Sequence, residues 1–399
     1  MGPNGIRKAL GAAAALAVAA AVVAGCAPST PSSTTPATTP KEPIKIGAVI
    51  SETGSYAGLG AGQLVTLKME ADRLNKAGGI NGRQVQLVIE DDGTDAAKAQ
   101  TAVTKLIDQD KVIVVLGATG TGETMSMRGD VDRAGIPQVS MAGGNVVTGQ
   151  FDPLVFTTAW SNKIVVPFEF AYMQKKGIKK IALISDTGGF GKDGLEILTA
   201  DAPKFGMTIV ANETFNLGDT DMTPQLTKIK AAAPDAIVLW TAGKEASTVV
   251  KNASTLGIKA QLFGSHGNAR KEFIAGAGAA AEGFRFAAGK ILIPDTYGAG
   301  TPQFKTATDY IANFKAAAAG KTPDTFAGHA YDAFNITVEA AKRVTGDLTP
   351  KALRDEIEKT SGYPGIGGTF TFSPTNHNGM TEKDLVMYEV KNGTWQLAK

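Results

Sequence analysis

The sequence predicts an α/β fold of two similar lobes, each a parallel β-sheet sandwiched by helices. Short, continuously apolar runs alternate with segments of helical spacing, which is typical of buried parallel strands connected by helices. This alternation begins at Ile44 and restarts near Ile164, so it occurs twice. A length of 399 residues also exceeds that of one small domain. We therefore expect two sheets, each with its own core.

The elements of the first half follow from their local patterns. Strands are predicted, as short apolar or alternating runs, at Ile44–Ile50, Val85–Ile89, Val112–Leu116 and Pro137–Val139. Helices are predicted, from apolar residues every three or four positions, at Gln63–Lys76, Ala96–Asp108 and Glu123–Arg133. Because strands and helices alternate strictly, the strands of this lobe are expected to be parallel.

The second half repeats the pattern and then changes. Helices are predicted at Ile164–Lys175 and Lys192–Ala202, and strands at Ile181–Ser185, Thr208–Ala211 and Ala236–Trp240. Two long helices, Gln303–Ala319 and Thr325–Arg343, are followed by strands at Thr369–Phe372 and Leu385–Val390. This late return of strands after long helices indicates that the chain crosses between the lobes more than once.

The first 26 residues have the order of an export signal. Arg7 and Lys8 precede an apolar run from Ala9 to Ala24, and its length of about 16 residues is below the roughly 20 that a transmembrane helix needs. The run ends in Val-Ala-Gly-Cys, which resembles the site where bacterial lipoprotein precursors are cleaved and lipidated. Residues 1–26 are thus predicted to be a lipoprotein signal peptide with Cys26 as the lipidation site. The alternative is an ordinary signal peptide with an incidental cysteine.

A linker is predicted to follow the signal peptide. Residues 27–40 contain only Pro, Ser, Thr and Ala, a composition with nothing to bury, and we assign residues 27–42 to this linker. No later stretch of the sequence is apolar enough to cross a membrane. We therefore expect a globular body tethered by lipid outside the cytoplasm, in a periplasm or on the outer face of the cytoplasmic membrane.

Charge and composition exclude several classes of protein. Lys and Arg total 40 against 38 Asp and Glu, and the surplus disappears with Arg7 and Lys8, so nothing favours binding to nucleic acid. One Cys and three His do not support a disulfide scaffold or an all-protein zinc site. No cofactor or metal is expected.

The sequence also lacks the spacing that catalysis requires. Gly191-Lys192 is followed by Asp193, so it does not form a phosphate-binding loop. A hydrolase using Ser265, Thr121 or His266 is the enzymatic alternative, but Ser265 and His266 are adjacent in sequence and cannot readily form a nucleophile and base pair. We expect a binding protein rather than an enzyme.

Three loops at strand ends combine glycine with hydroxyl or amide side chains. They are Ser51–Gly60, Gly117–Gly122 and Ser140–Asn145, and each follows a predicted strand of the first lobe. Ligands of parallel sheets bind at the carboxyl ends of strands, where backbone N–H groups at a helix start bind anions such as a carboxylate. The alternative is that these loops are ordinary turns and helix caps.

Over about residues 43–399 the chain resembles the leucine/isoleucine/valine-binding family, the solute-binding proteins of branched-chain amino acid importers. The segments that carry the resemblance, in order, are Ile44–Val49, Ala77–Arg83, Glu90–Asp95, Gly135–Ser140, Ile181–Ile184, Phe190–Gly194 and Tyr331–Ala333. The resemblance implies a periplasmic binding protein of type I, a monomer that closes over a small ligand and delivers it to an ABC permease and ATPase complex. A sensory receptor without a role in transport is the alternative.

The resemblance also places the lobe boundaries. Crossovers are expected near Thr157–Trp160, Ala287–Gly289 and Gly367–Gly368. Lobe I then comprises residues 43–158 and 290–366, and lobe II comprises residues 159–289 and 367–399.

In this family one lobe binds the ligand carboxylate through hydroxyl and backbone N–H groups. The matching positions are Thr121, preceded by Gly120, and the backbone at Ala142. Where the family has a threonine this chain has Gly144, followed by Asn145. A carboxylate site is expected, with one hydroxyl missing or replaced.

The opposite lobe departs further from the family. The family's glutamate, which binds the α-ammonium of the amino acid, corresponds to His266, and a buried cation without an anionic partner costs several kcal/mol. A donating histidine suits a carboxylate or a hydroxyl better. We therefore predict a ligand without an α-amino group. The alternatives are a true branched-chain amino acid binder and a loop histidine that makes no ligand contact.

Apolar residues are predicted to enclose the rest of the ligand. Leu59 and Ala242 replace two family tyrosines, while Phe190 and Phe326 keep aromatic character. Trp160, at a predicted crossover, and Tyr56 add further walls. An aromatic carboxylic acid satisfies both ends of such a site. The alternative is that Trp160 and Phe326 are hinge or core aromatics.

Overall fold

The computed structural model describes residues 42–399. The predicted signal peptide, the lipidation site Cys26 and nearly all of the predicted linker lie outside these residues. Within residues 42–399, no helix is both long enough and apolar enough to cross a membrane.

The first sheet has five parallel strands. In chain order they are β1 (Ile44–Ile50), β2 (Val85–Asp91), β3 (Val115–Gly117), β4 (Gln138–Ser140) and β5 (Val155–Thr157). The helices between them are α1 (Ala57–Lys76), α2 (Ala96–Lys105), α3 (Thr121–Ala134) and α4 (Val146–Gly149). The order across the sheet is β2-β1-β3-β4-β5, and β1 is buried on both faces because its successive side chains enter different core clusters.

The second sheet is larger and mixed. Its parallel part consists of β6 (Lys180–Asp186), β7 (Thr208–Phe215), β8 (Ala236–Trp240), β9 (Gln261–Gly264) and β10 (Arg285–Gly289). The helices of this part are α5 (Asn162–Lys175), α6 (Gly189–Asp201), α7 (Thr223–Ala231), α8 (Glu245–Thr255) and α9 (Lys271–Ala277).

The last third of the chain packs first against the first lobe and then adds strands to the second sheet. Helices α10 (Pro302–Ala317), α11 (Thr325–Arg343) and α12 (Pro350–Glu358) come first, and α10 and α11 pack against α1 of the first sheet. A hairpin of β11 (Tyr363–Pro364) and β12 (Thr369–Phe370) follows. Strands β13 (Leu385–Lys391) and β14 (Thr394–Leu397) then complete the second sheet, whose order is β14-β13-β10-β9-β8-β6-β7.

The structure confirms the predicted fold class, two lobes each containing parallel strands and helices. We call the first sheet with α1–α4 and α10–α12 the first lobe, and the second sheet with α5–α9 the second lobe. The chain leaves the first sheet after Thr157, leaves the second after Gly289, and returns to it at Leu385.

Some predicted boundaries are wrong for identifiable reasons. Helix α1 begins at Ala57 rather than Gln63, because Gly60 lets its first turn pack against the residue that follows β1. A Cβ at Gly60 would lie 2.0 Å from the Ser51 carbonyl oxygen. Strand β3 begins at Val115 rather than Val112, whose N–H instead donates to Leu106 of the preceding helical turn.

Two further predictions differ in extent. The predicted strand Thr369–Phe372 is only two residues long and pairs within the small hairpin, not with the main sheet. Helix α2 ends at Lys105 rather than Asp108, since the chain continues as a wider turn of π-helix over Leu106–Asp110.

Candidate ligand-binding site

A narrow cavity lies between the two lobes, where the carboxyl ends of β3 and β4 face those of β8 and β9. About 320 Å³ of space here, including space open to solvent, is not filled by protein atoms. The lining residues from the first lobe and the crossover after it are Tyr56, Leu59, Thr119, Gly120, Thr121, Met141, Gly143, Ala159, Phe326 and His329. The lining residues from the second lobe are Phe190, Ala242, His266 and Gly267.

Most of the residues predicted from the sequence come together in this cavity. Those that line it are Tyr56, Leu59, Gly120, Thr121, Phe190, Ala242, His266 and Phe326. Ala142, Gly144, Asn145 and Trp160 lie behind the lining, and the structure gives each of them a different role.

Thr121 lies at the start of α3 with its hydroxyl beside the β4 loop. Its side chain is 1% exposed, and its Oγ1 accepts a hydrogen bond from the Gly144 N–H at 3.1 Å. The hydroxyl proton is therefore left to donate to another group. Gly120 and Thr121, the N-cap and first residues of α3, both line the cavity, so the start of this helix, where its dipole is positive, borders the cavity.

Gly144 stands where the resemblance implies a threonine, and the structure explains the change. A Cβ at this position would lie 2.4 Å from Thr121 Cγ2 and 2.8 Å from Thr121 Oγ1. The loop therefore packs directly against Thr121, and the missing hydroxyl is replaced by a backbone N–H that orients the Thr121 side chain.

Ala142 and Asn145 make internal hydrogen bonds. The Ala142 N–H donates to Ser140 Oγ at 3.1 Å, so the backbone donor predicted at this position is already used. Asn145 Oδ1 accepts from Ser161 Oγ at 3.2 Å, and the Asn145 N–H donates to Asp193 at 2.7 Å. Both residues shape the site from outside the cavity.

Trp160 lies in the crossover between the lobes. Its ring packs on Gly289, where a Cβ would lie 1.9 Å from the tryptophan Cη2, and it meets the His329 ring edge-on at 5.2 Å between centroids. Trp160 thus packs in the crossover and does not line the cavity.

His266 is held in place by the turn that follows β9. Ser265 donates its hydroxyl proton to the Thr241 carbonyl at 2.8 Å and accepts from the Gly267 N–H at 3.1 Å, which fixes the start of the turn. The His266 ring meets Phe190 edge-on at 5.2 Å between centroids. The Ser265 hydroxyl proton is therefore engaged with a carbonyl oxygen.

A second histidine, His329, was not predicted. It lies on α11, one turn after Phe326, and their rings meet at 5.7 Å between centroids. Asp324 caps this helix by accepting from the Ala327 N–H at 2.8 Å, which sets both residues toward the cavity. The signal that sequence reasoning missed is the spacing of three residues, which places two side chains on one helix face.

Both histidine rings are buried without hydrogen bonds. His266 is 4% exposed and His329 is 1% exposed, and within residues 42–399 none of their ring nitrogens has a hydrogen-bond partner. Burial lowers the pKa of each imidazole to about 3, while the carbonyls of Trp160 and Met141, which favour the protonated rings, offset only part of the shift. Both rings are therefore neutral near pH 7.

Among the described residues, none that lines the cavity is Asp, Glu, Lys or Arg. Charged groups lie behind these residues. Burial raises the pKa of the Tyr56 hydroxyl, and the nearby charges of Asp186, Glu123 and Glu245 raise it further, whereas Arg270 lowers it. Burial raises the pKa of Glu123 to about 7 and that of Asp186 to about 6. Arg270 is engaged with the carbonyls of Gly267 and Gly243.

The cavity therefore offers an apolar enclosure with a few polar groups. The Thr121 hydroxyl and the two neutral imidazoles can each donate one hydrogen bond, and each imidazole can also accept one. No anionic side chain contacts the enclosed space, within the part of the chain that the structure describes.

Comparison with known protein sequences finds relatives that are named as amino acid binding proteins. The first relatives include an amino acid binding protein of Pseudomonas aeruginosa, 28% identical over 244 residues, with 59% of this chain and 63% of the relative covered. The chain likewise spans just under two-thirds of the next two relatives, 65% and 66% of their lengths.

Solved structures match over nearly the whole body. An extracellular ligand-binding receptor from Rhodopseudomonas palustris HaA2 has a TM-score of 0.84 at 29% identity, with 89% of this chain and 99% of that chain covered. The branched-chain amino acid transporter substrate binding protein LivJ from Streptococcus pneumoniae, solved with isoleucine, has a TM-score of 0.79 at 28% identity, with 90% and 99% covered.

The family model described as periplasmic binding protein matches residues 43–394. This range includes the first sheet, all of the second sheet except most of β14, and every residue that lines the cavity. The architecture of two lobes is that of type I. The chain therefore belongs to the periplasmic binding protein family.

Proposed function

We propose that this protein is the extracytoplasmic solute-binding component of an ABC importer and that its ligand is a small carboxylic acid with an apolar or aromatic body and no α-ammonium group. One observation carries the choice of ligand. The described residues that line the cavity include two neutral histidines and no carboxylate.

An amino acid would bring a cation into this cavity. Its ammonium group would lose its hydration and meet only hydroxyls, imidazoles and apolar side chains. Burying an unpaired charge costs several kcal/mol, a large part of the roughly 8 kcal/mol that micromolar binding requires. A ligand without the ammonium group avoids this cost.

The acidic end of such a ligand fits the first lobe. The Thr121 hydroxyl has a proton to donate, and the start of α3, where the helix dipole favours an anion, borders the cavity. A hydrogen bond to a charged group contributes about 1.5–3 kcal/mol. The apolar end would contact Tyr56, Phe190 and Phe326, whose rings favour a flat aromatic body.

A branched-chain amino acid is the second candidate. The relatives' names and the isoleucine in the LivJ structure support it, as does the position of Glu123. This carboxyl lies next to Gly120, where a Cβ would meet its Oε2, and a shift toward the cavity would bring it to an ammonium group. A receptor that senses the ligand without transporting it is a further alternative.

We also propose the tether and the lobe boundaries that the sequence predicts. Cys26 carries the lipid anchor, and a monomer delivers its ligand to a permease and ATPase complex. Lobe I comprises residues 43–158 and 290–366, and lobe II comprises residues 159–289 and 367–399. The packing of α10 and α11 against α1 supports the return of the chain to lobe I.

Calorimetric titration tests the choice of ligand. Residues 41–399, which form one compact unit, are unfolded and refolded to remove carried-over ligand. Leucine, isoleucine, valine and phenylalanine are then compared with benzoate, hydroxybenzoates and phenylacetate. Tight binding of an aromatic acid together with no binding of leucine supports the proposal. Tight leucine binding contradicts it and identifies an amino acid binder.

A further inference from the structure

Gly143 and His266 meet across the gap between the lobes. Gly143 follows β4 in the first lobe, and His266 follows β9 in the second. A Cβ built on Gly143 would lie 2.4 Å from His266 Nε2 and 3.4 Å from its Cδ2. The imidazole of one lobe therefore occupies the space that any side chain at position 143 of the other lobe would need.

The backbone at Gly143 does not by itself require glycine. Its φ is not among the positive values that favour glycine in the described chain, so an alanine could adopt the same conformation. Glycine is needed here because there is no room for a Cβ. The space that a Cβ would occupy is filled by the His266 ring of the opposite lobe. The same Cβ would lie 2.9 Å from the Trp160 carbonyl oxygen, a second and less severe contact.

This contact places His266 at the same end of the cavity as Thr121. The Thr121 hydroxyl packs against Gly144, the residue directly after Gly143. The His266 imidazole and the Thr121 hydroxyl thus contact neighbouring residues of one loop from opposite lobes. In the tautomer with its proton on Nε2, His266 would offer a second donor near the Thr121 hydroxyl, and two such donors suit a single oxyanion.

We propose that Gly143 is a positioning residue for ligand binding: its lack of a side chain lets His266 close against the first lobe, so that His266 and Thr121 hold the same acidic group of the ligand. This inference rests on the proposed function for the identity of the ligand. The steric part, that His266 closes only onto a glycine, holds for any ligand that requires the closed form.

A double-mutant cycle tests the contact. The proteins are residues 41–399 with Gly143→Ala, with His266→Ala, with both changes and with neither. Gly129→Ala is the control for the loss of glycine, because a Cβ there meets nothing within 4 Å. The probes are phenylacetate and leucine, and the cycle uses whichever the unchanged protein binds more tightly.

We expect Gly143→Ala to weaken binding by at least about tenfold in the protein with His266. In the protein with His266→Ala it should weaken binding by no more than about threefold, because the imidazole that clashes with the new methyl group is then absent. An equal loss in both backgrounds would mean that position 143 acts through Trp160 instead, and would overturn the proposal. If leucine is the tighter probe, the proposed function fails while the cycle still decides the contact.

A second readout does not depend on ligand affinity. Cys26 is the only cysteine, so in residues 41–399 the changes Gln100→Cys and Lys251→Cys, on exposed positions of α2 and α8, give two unique spin-label sites, one on each lobe. We expect Gly143→Ala to reduce the population with the short distance between labels, and His266→Ala to restore it. A short-distance population that Gly143→Ala leaves unchanged would also overturn the proposal.

Discussion

The carboxylate of Asp193 in the second lobe accepts a hydrogen bond from the backbone N–H of Asn145 in the first lobe, at 2.7 Å. The next N–H, of Val146, donates to the other carboxylate oxygen at 2.9 Å. The Asn162 amide donates to the same Asp193 oxygen as Asn145, also at 2.7 Å. The two lobes are thus joined beside the cavity by a contact that includes no cavity-lining side chain.

This contact predicts an effect of Asp193→Asn on ligand binding. An amide offers one acceptor where the carboxylate offers two, and its NH₂ group faces backbone donors. Loss of a charge-assisted hydrogen bond costs about 1.5–3 kcal/mol, so affinity for the acid identified by titration should fall by about tenfold or more. Glu196→Gln, an exposed change on the same helix, is the control. Equal affinities of the two variants in calorimetry would show that the Asp193 contact does not stabilise the closed form.

Removal of the Thr121 hydroxyl should weaken a carboxylate ligand directly. For Thr121→Val we expect a loss of about 1.5–3 kcal/mol in binding free energy, whereas Thr121→Ser should keep most of the affinity. Because valine also leaves the Gly144 N–H without its acceptor, thermal unfolding without ligand must be measured for both variants. If valine and serine variants bind the acid equally well, the hydroxyl is not the anchor.

The role of His266 predicts a change of ligand with His266→Glu. A carboxylate here would give an ammonium group its missing partner and would repel an acid held by Thr121. Leucine binding should strengthen by at least about tenfold and phenylacetate binding should weaken by a similar factor, as expected for pairing or opposing a buried charge. His266→Gln, which keeps a donor, is the control. Titrations in which the glutamate variant prefers phenylacetate would contradict the assignment of His266.

The fold was predictable where one local pattern decides the structure. Strand β8 and helix α11 have the predicted bounds, because a continuous apolar run and a long amphipathic repeat leave few alternatives. The start of α1 was not predictable, since its first turn packs at Gly60 against the backbone of Ser51, directly after β1, and local sequence does not reveal this contact. Strand β9 could not be predicted. It is four residues long and only half-buried in its first two residues, so its hydrophobic pattern is too short to identify a strand.

The candidate site was predictable to the extent that it lies at strand ends. Thr121 and His266 follow strands, so the rule for parallel sheets locates them. His329 comes from a helix that returns to the first lobe long after the strands it meets, and its position depends on how α11 packs. The pairing of Gly143 with His266 depends on the distance between the lobes, which local sequence does not determine.

The two neutral histidines also predict how stability depends on pH. The pKa of His329 is lowered by burial to about 3, against about 6.5 in an unfolded chain. Below pH 6.5 the unfolded chain therefore takes up a proton that the folded chain does not, and the free energy of unfolding falls as pH falls. For one such group the slope approaches about 1.4 kcal/mol per pH unit.

Urea unfolding of the unchanged protein and of His329→Gln at several pH values measures this contribution. Glutamine does not titrate, and the carboxyl groups are common to both proteins, so the difference between their free energies isolates His329. We expect the difference to change by about 2 kcal/mol between pH 7.5 and pH 5, with the unchanged protein losing more. His377→Gln is the comparison, and its effect should be smaller because Glu358, 3.1 Å from His377 Nε2, favours the protonated ring. A pH-independent difference for His329→Gln would mean that this imidazole takes up its proton in the folded state, and the neutral pair on which the choice of ligand rests would then be lost.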